Sequence, residues 1–257
     1  MTTLHHKTRP LLEDVQLNYG PIDQTGRFLL MAESEMRQRG VYLSFATFDE
    51  LLDANLRNKD SWLSLYPAFD PRHHGFDPRT SFCILGRDLQ GDVVLTHAAR
   101  LYRWPAPSFA KEAVSLRYLY ADPAPAIAAG ETCVVTAPVA DTIAGNAIFT
   151  GAVWYRPDFR KKLLAPIMSR ITRYVAFSMW PSDLSFALMS KAVIAGGMPE
   201  RCGMTNLDWA VTSAGSPLGP LTLGIVWQYP QETLADLTQV LARPIDVLDD
   251  VVYRRRA

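Results

Sequence analysis

The chain has 257 residues, 48% of them hydrophobic and 20% charged, an ordinary composition for a soluble folded chain. Lys plus Arg and Asp plus Glu number 26 each, so the formal net charge is zero, and overall charge offers no reason to expect a nucleic-acid partner. Cys83, Cys133 and Cys202 are far apart, form no CxxC pair and fit no closed disulfide framework, so a reducing, cytoplasmic setting is expected.

The opening MTTLHHKTRP is polar and does not read as a secretory leader. No apolar run approaches the roughly 18–20 residues of a membrane helix. Residues 1–26, with Pro10, Gly20, Pro21 and Gly26, read as an arm packed on the surface. Phe28 to Arg39 reads as a helix with a supporting Glu33–Arg37 pair. Val41 to Phe45 reads as a strand. Thr47 then opens a capping box with Glu50, predicting a helix with Leu51, Leu52 and Leu56 on its inner side. Pro67 to Arg79 is a proline-rich loop.

Ser81 to Arg87 and Asp92 to Tyr102, separated by DLQG, form a β-hairpin signal. PAPSFAKE, from Pro105, reads as loop, and Asp122 to Gly130 as a loop or short helix. Apolar runs follow at Thr132 to Val139 and Ala147 to Tyr155. Leu163 to Ser178 has helical periodicity, with Leu163, Leu164, Ile167, Met168, Ile171 and Val175 on one side. Leu184 to Met189 reads as a strand, followed by a short helix or turn ending near Pro199. Met204 to Val211 and Leu221 to Tyr229 form a second hairpin, and Thr233 to Leu241 a last helix.

Interleaved strands and helices with two hairpins predict a mixed α/β (α+β) fold, its mostly antiparallel central sheet flanked by helices. The expected organisation is an N-terminal extension and first helix over 1–40, one domain over 41–230, and a C-terminal helix and basic tail over 231–257. The terminal YRRRA is read as a solvated end.

The most informative stretch is VWYRPDFRKKLLA, Val153 to Ala165. A strand-like run ends at Pro157, and Arg160, Lys161 and Lys162 follow. Pro166 costs little only in a first helical turn, so the helix is expected to begin near Lys162 or Leu163. The basic residues then form a loop at the positive end of a helix, where free N–H groups and the dipole favour a pyrophosphate.

YRPDFRKKLLA resembles the acyl-CoA pyrophosphate loop of the GNAT acyltransferase superfamily, which contains R/Q-x-x-G-x-G/A. Arg160 stands at the R/Q and Ala165 at the final small position, while Leu163 and Lys161 replace glycines. A side chain at 163 is expected to restrict the loop's backbone and crowd the cofactor. The order of elements over roughly 41–230 resembles the same family. FCILGRDLQGDVVLTHAARL is also similar to a segment of acyl-homoserine-lactone synthases.

The resemblance implies a GNAT-like domain in which backbone groups near Val153 and Tyr155 pair with pantetheine. Arg160, Lys161, Lys162, Leu163, Leu164 and Ala165 would then hold the pyrophosphate of acetyl-CoA or another acyl-CoA. It implies acyl transfer to an amine of a small molecule or peptide, with no nucleic acid and no membrane span. Homodimerisation is left open. The family's usual acid is a tyrosine after the next strand, yet SKAVIAGGMPERCGM has none. A catalytically silent acyl-CoA-binding or regulatory module and an acyl-homoserine-lactone-type synthase therefore stay as alternatives.

His97, within VVLTHAARL, and Glu131 are candidate bases, though for His97 a role satisfied within the sheet is the more ordinary reading. Ser190 and Lys191 are placed to approach a cofactor. Tyr102 and Trp104 are candidate pocket residues, and Trp154, Tyr155, Trp180, Trp209 and Trp227 read as core. His73 and His74 sit in a loop beside Asp70 and Asp77, where a surface role is more ordinary than a metal site. No hydrolase elbow, P-loop or dinucleotide fingerprint is present.

Overall fold

The computed structural model describes residues 9–106 and 108–242. The chain opens with α1 (Leu11–Asp14) and α2 (Ile22–Gln38), then β1 (Tyr42–Ala46) and α3 (Phe48–Arg57). The hairpin β2 (Ser81–Arg87) and β3 (Val93–Trp104) precedes α4 (Phe109–Val114), α5 (Ala124–Ala128) and β4 (Thr132–Val135). Next come β5 (Gly145–Tyr155), α6 (Leu164–Met179), β6 (Leu184–Ser190), α7 (Lys191–Ala195) and α8 (Met198–Arg201). The last elements are β7 (Asn206–Ala214), β8 (Leu221–Gln228) and α9 (Pro230–Leu241).

The strands form one sheet in the order β1-β2-β3-β5-β6-β8-β7-β4. Every neighbouring pair is antiparallel except β5–β6. The fold is therefore mixed α/β, with a mostly antiparallel sheet flanked by helices. From β1 onward the element order follows the one that the family resemblance implies, with one addition. The segment between β3 and β5 leaves the centre of the sheet and places β4 at the far edge, where Cys133 pairs with Ser213 on β7.

Local signals explain several elements. The Thr47 hydroxyl accepts from the Glu50 N–H at 3.1 Å, and the Glu50 carboxylate accepts from the Thr47 N–H at 2.8 Å, closing the capping box of α3. Phe48, Leu51, Ala54 and Asn55 form its buried side. Leu56, expected inside, is 54% exposed, because one residue past Asn55 the helix has turned about 100° towards solvent. The Glu33–Arg37 pair closes at 2.9 Å. Helix α2 begins at Ile22, within the stretch read as an arm, and buries Phe28, Leu29, Ala32 and Met36.

PAPSFAKE is a loop only in its first half. From Phe109 the chain is helical, anchored where the Phe109 N–H donates to the Ile143 carbonyl at 2.8 Å. The upstream prolines masked a helix whose Phe109 and Ala113 are fully buried. The N-terminal octapeptide and the YRRRA tail lie outside the described residues.

Apolar residues divide between the two faces of the sheet. On one, Phe28, Ile84, Leu95, Ile171, Tyr174 and Leu237 pack beneath α2, α6 and α9. On the other, Phe69, Phe109, Tyr118, Phe149 and Phe186 pack under α3, the 58–80 segment and the chain from 108 to 144. Helix α9 is fixed to α6 by Asp236, which accepts from Arg170 Nη2 at 3.0 Å, Arg173 Nη2 at 2.6 Å and the Tyr174 hydroxyl at 2.5 Å.

Candidate functional site

The ladder between β5 and β6 is short. It runs from Ala147↔Leu184 to Thr150↔Ala187 and stops. Beyond Thr150, β5 is deflected by an irregularity against β3 between Thr96 and Ala98, and Ala152 adopts a left-handed φ of 50°. The Thr96 hydroxyl holds this bulge by donating to the Ala152 carbonyl at 2.7 Å. Meanwhile β6 stays on β8 as far as Ser190↔Leu223. The two parallel strands fork, and a cavity of about 530 Å³ occupies the fork.

The walls come from three places: β5 from Phe149 to Tyr155, the ends of β6 and β8, and the loop Ser61–Tyr66 that crosses in front. Trp62 from that loop stacks on Trp154 of β5, with ring centroids 4.9 Å apart. Trp154 is 4% exposed, and its indole N–H has no hydrogen-bond partner. Gly151 is required at the floor, since a Cβ there would collide with the Phe69 ring.

The basic loop begins where β5 ends. Pro157–Phe159 forms one 3₁₀ turn, with Phe159 buried. Arg156 bonds Asp88 at 2.9 Å and Asp158 at 2.8 Å, so it is a structural brace. Arg160 reaches into the cavity wall, donating from Nε to the Tyr155 carbonyl at 3.0 Å and from Nη2 to the Ser61 carbonyl at 3.3 Å. Lys161 and Lys162 are exposed, and the Lys162 ammonium lies 4.1 Å from the Phe159 ring centroid.

Helix α6 starts at Leu164, one residue later than the latest start that Pro166 suggested, with Leu163 as its N-cap. Pro166 lies in the first turn, where no intrahelical bond is lost. Lys161 and Leu163 both adopt left-handed φ, 62° and 59°. These are the two positions at which the family resemblance has glycine. Leu163 thus holds a backbone conformation that side chains disfavour. The loop takes the left-handed geometry anyway, at a steric cost of about 1–2 kcal/mol per residue. Left-handed residues at 161 and 163, followed by the free N–H groups of a helix start, are the kind of backbone that forms anion-binding concavities.

Of the residues expected at the site, Val153, Tyr155 and Arg160 line the cavity, and Lys161, Lys162, Leu163, Leu164 and Ala165 form the loop and first turn. Leu164 is buried in the core, so only its backbone faces the loop.

Other candidates fall elsewhere. His97 lies opposite Ile84 on the face covered by α6, with Nε2 2.7 Å from the Tyr155 hydroxyl. Burial lowers the His97 pKa to about 3 and pushes the Tyr155 phenol well up. That partnership satisfies His97 within the sheet. Glu131 is buried and accepts from the Tyr120 hydroxyl at 2.7 Å. Ser190 lines the cavity and caps α7 by accepting the Val193 N–H at 3.4 Å, while Lys191 is exposed. Tyr102 and Trp104 stack at 4.5 Å inside the second core and do not line the fork.

His74 donates from Nε2 to the Leu119 carbonyl, 2.5 Å away, and burial lowers its pKa to about 4. No cluster of His, Cys, Asp or Glu suited to a metal occurs among the described residues. No helix among them is long and apolar enough to cross a membrane.

Trp154, read as core, is a wall of the cavity, as is Tyr155, whose backbone was expected at the site. Trp62, Tyr66, Leu188, Leu221 and Leu223 were not singled out as site residues at all. They come from three separated segments, and nothing local marks them. Only the sheet order brings them together.

No family model matches this chain, and no curated protein does. Solved structures with similar backbones include N-acetyltransferases. A mutant of the spermidine N-acetyltransferase SpeG from Vibrio cholerae has 8% identity over 76% of this chain and 96% of its own, with a TM-score of 0.44. A candidate acyl-CoA N-acyltransferase from Klebsiella pneumoniae has 12% identity over 74% and 98%, with a TM-score of 0.38. A candidate phosphinothricin N-acetyltransferase has 11% identity over 74% and 98%, with a TM-score of 0.43. At such identities and scores, the functional reading rests on this chain's own geometry.

Proposed function

We propose that this chain is an acyl-CoA-dependent N-acyltransferase of the GNAT type, with its acyltransferase domain over 41–230. The observation that carries this reading is the fork. Two parallel strands separate after Thr150↔Ala187, and the same β5 runs on into a basic loop that opens at the start of α6. Unpaired backbone beyond a fork suits an amide-bearing arm such as pantetheine, and turned N–H groups with Arg160, Lys161 and Lys162 suit a pyrophosphate.

In this reading acetyl-CoA or a longer acyl-CoA is the cosubstrate and a small-molecule or peptide amine the acceptor. The amine nitrogen forms a bond to the thioester carbonyl carbon and loses a proton, the C–S bond breaks, and the thiolate takes a proton. Calorimetric titration with acetyl-CoA and longer acyl-CoAs tests the cofactor assignment. Micromolar binding is expected, and no detectable binding to any of them would sink it.

One observation favours a second reading, a catalytically silent binding module. The two phenols of the cavity are already engaged, Tyr66 with Tyr118 and Tyr155 with His97, and α7 and α8 carry no tyrosine. Thiol release with an amine panel separates the readings: turnover supports the enzyme, and binding without release supports the module.

A further inference from the structure

The fork cavity differs in kind from a site for a polar or cationic group. Among the described residues that line it, the only charged side chain is Arg160, at the loop end, and there is no carboxylate. Serine and threonine side chains also line it, but leucine predominates, with Leu188, Leu218, Leu221 and Leu223 in the wall. A carboxylate-free wall gives an ammonium group no counter-charge and makes its desolvation costly. The volume of about 530 Å³ lies within the range of pockets that enclose whole small ligands, about 300–1,000 Å³.

The cavity thus sets Arg160 against a wall rich in leucine.

Resting on the proposed function, we infer that the group transferred is an aliphatic acyl chain longer than acetyl, lodged against Leu188, Leu221 and Leu223 where β6 and β8 flank the fork. The acceptor amine then meets the thioester from outside this apolar pocket, so a polyamine threaded through the cavity is not the substrate.

Titration of the full chain with CoA, acetyl-CoA and the straight-chain acyl-CoAs from C4 to C12 tests this. Affinity should rise about fourfold per buried methylene and level off once the pocket is full. In Leu223→Gln the rise should flatten, with CoA affinity within twofold of the parent. Leu221→Gln, at the rim, provides the same readout if the first variant folds poorly. Equal affinity for CoA and all acyl-CoAs would overturn the inference and leave the proposed function standing. So would chain-length dependence on a series of alkylamine acceptors instead of acyl-CoAs. Failure of CoA and every acyl-CoA to bind would remove the proposed function and the inference together.

Discussion

Leu163 occupies a left-handed backbone position that glycine fills without strain. Leu163→Gly should therefore stabilise the chain by about 0.5–1 kcal/mol, the steric relief exceeding the extra unfolded-state entropy of glycine. Urea unfolding measures this, and a loss of stability would show that the Leu163 side chain contributes more by packing than it costs in the backbone. His97 provides a residue-scale test of pH. Its folded pKa is lowered to about 3 by burial, against about 6.5 in the unfolded chain. Between those values the unfolded chain binds the proton more readily, so the contribution is intact above about pH 6.5 and is lost as pH falls towards 3. The melting temperature should drop from pH 7 to pH 5, and His97→Gln should fall less over that interval. Equal slopes would mean that other groups govern the acid limb.

At the scale of elements, Asp236 is the most consequential single carboxylate. Among the described residues it alone neutralises Arg170 and Arg173, both nearly fully buried on α6, and it also receives the Tyr174 hydroxyl. Asp236→Ala should cost about 3–5 kcal/mol by leaving buried charge uncompensated. Denaturation detects this, and a loss below about 1 kcal/mol would mean that water replaces the carboxylate. Elements of this kind were legible in the sequence where one local rule sufficed. The capping box at Thr47, the hairpin around DLQG and the apolar stripe of α6 each needed only neighbours in the chain. So did Pro166, which placed the basic loop ahead of a helix. What local rules could not supply was partnership. Nothing within β4 says that it pairs with β7, and nothing near Trp62 says that it stacks on Trp154. Leu56 shows the same limit in miniature, since its side of α3 is set by what the helix packs on.

For the whole molecule, ligand linkage gives the broadest check. An acyl-CoA that binds only the folded chain should raise stability by about 2.7 kcal/mol at a concentration 100-fold above its dissociation constant. Thermal shift with acyl-CoA should therefore exceed that with an equal concentration of free pyrophosphate, which can engage the loop but not the fork. Equal shifts would confine binding to the basic loop. Trp62→Ala, which removes the ring stacked over Trp154, should reduce the acyl-CoA shift while leaving the pyrophosphate shift alone.

The detour that carries β4 across to β7 has a bearing on association. Without it, β7, nine residues long, would present a row of unpaired amides to solvent. With it, among the described residues, the open margins are β1, of five residues, β4, of four, and the short stretch of β7 from Asn206 to Trp209 that β4 does not reach. Short margins are poor templates for strand addition by another chain. A second copy of this protein, if it binds, should dock through helices or loops, and the eight-stranded sheet should not grow into a continuous sixteen-stranded one.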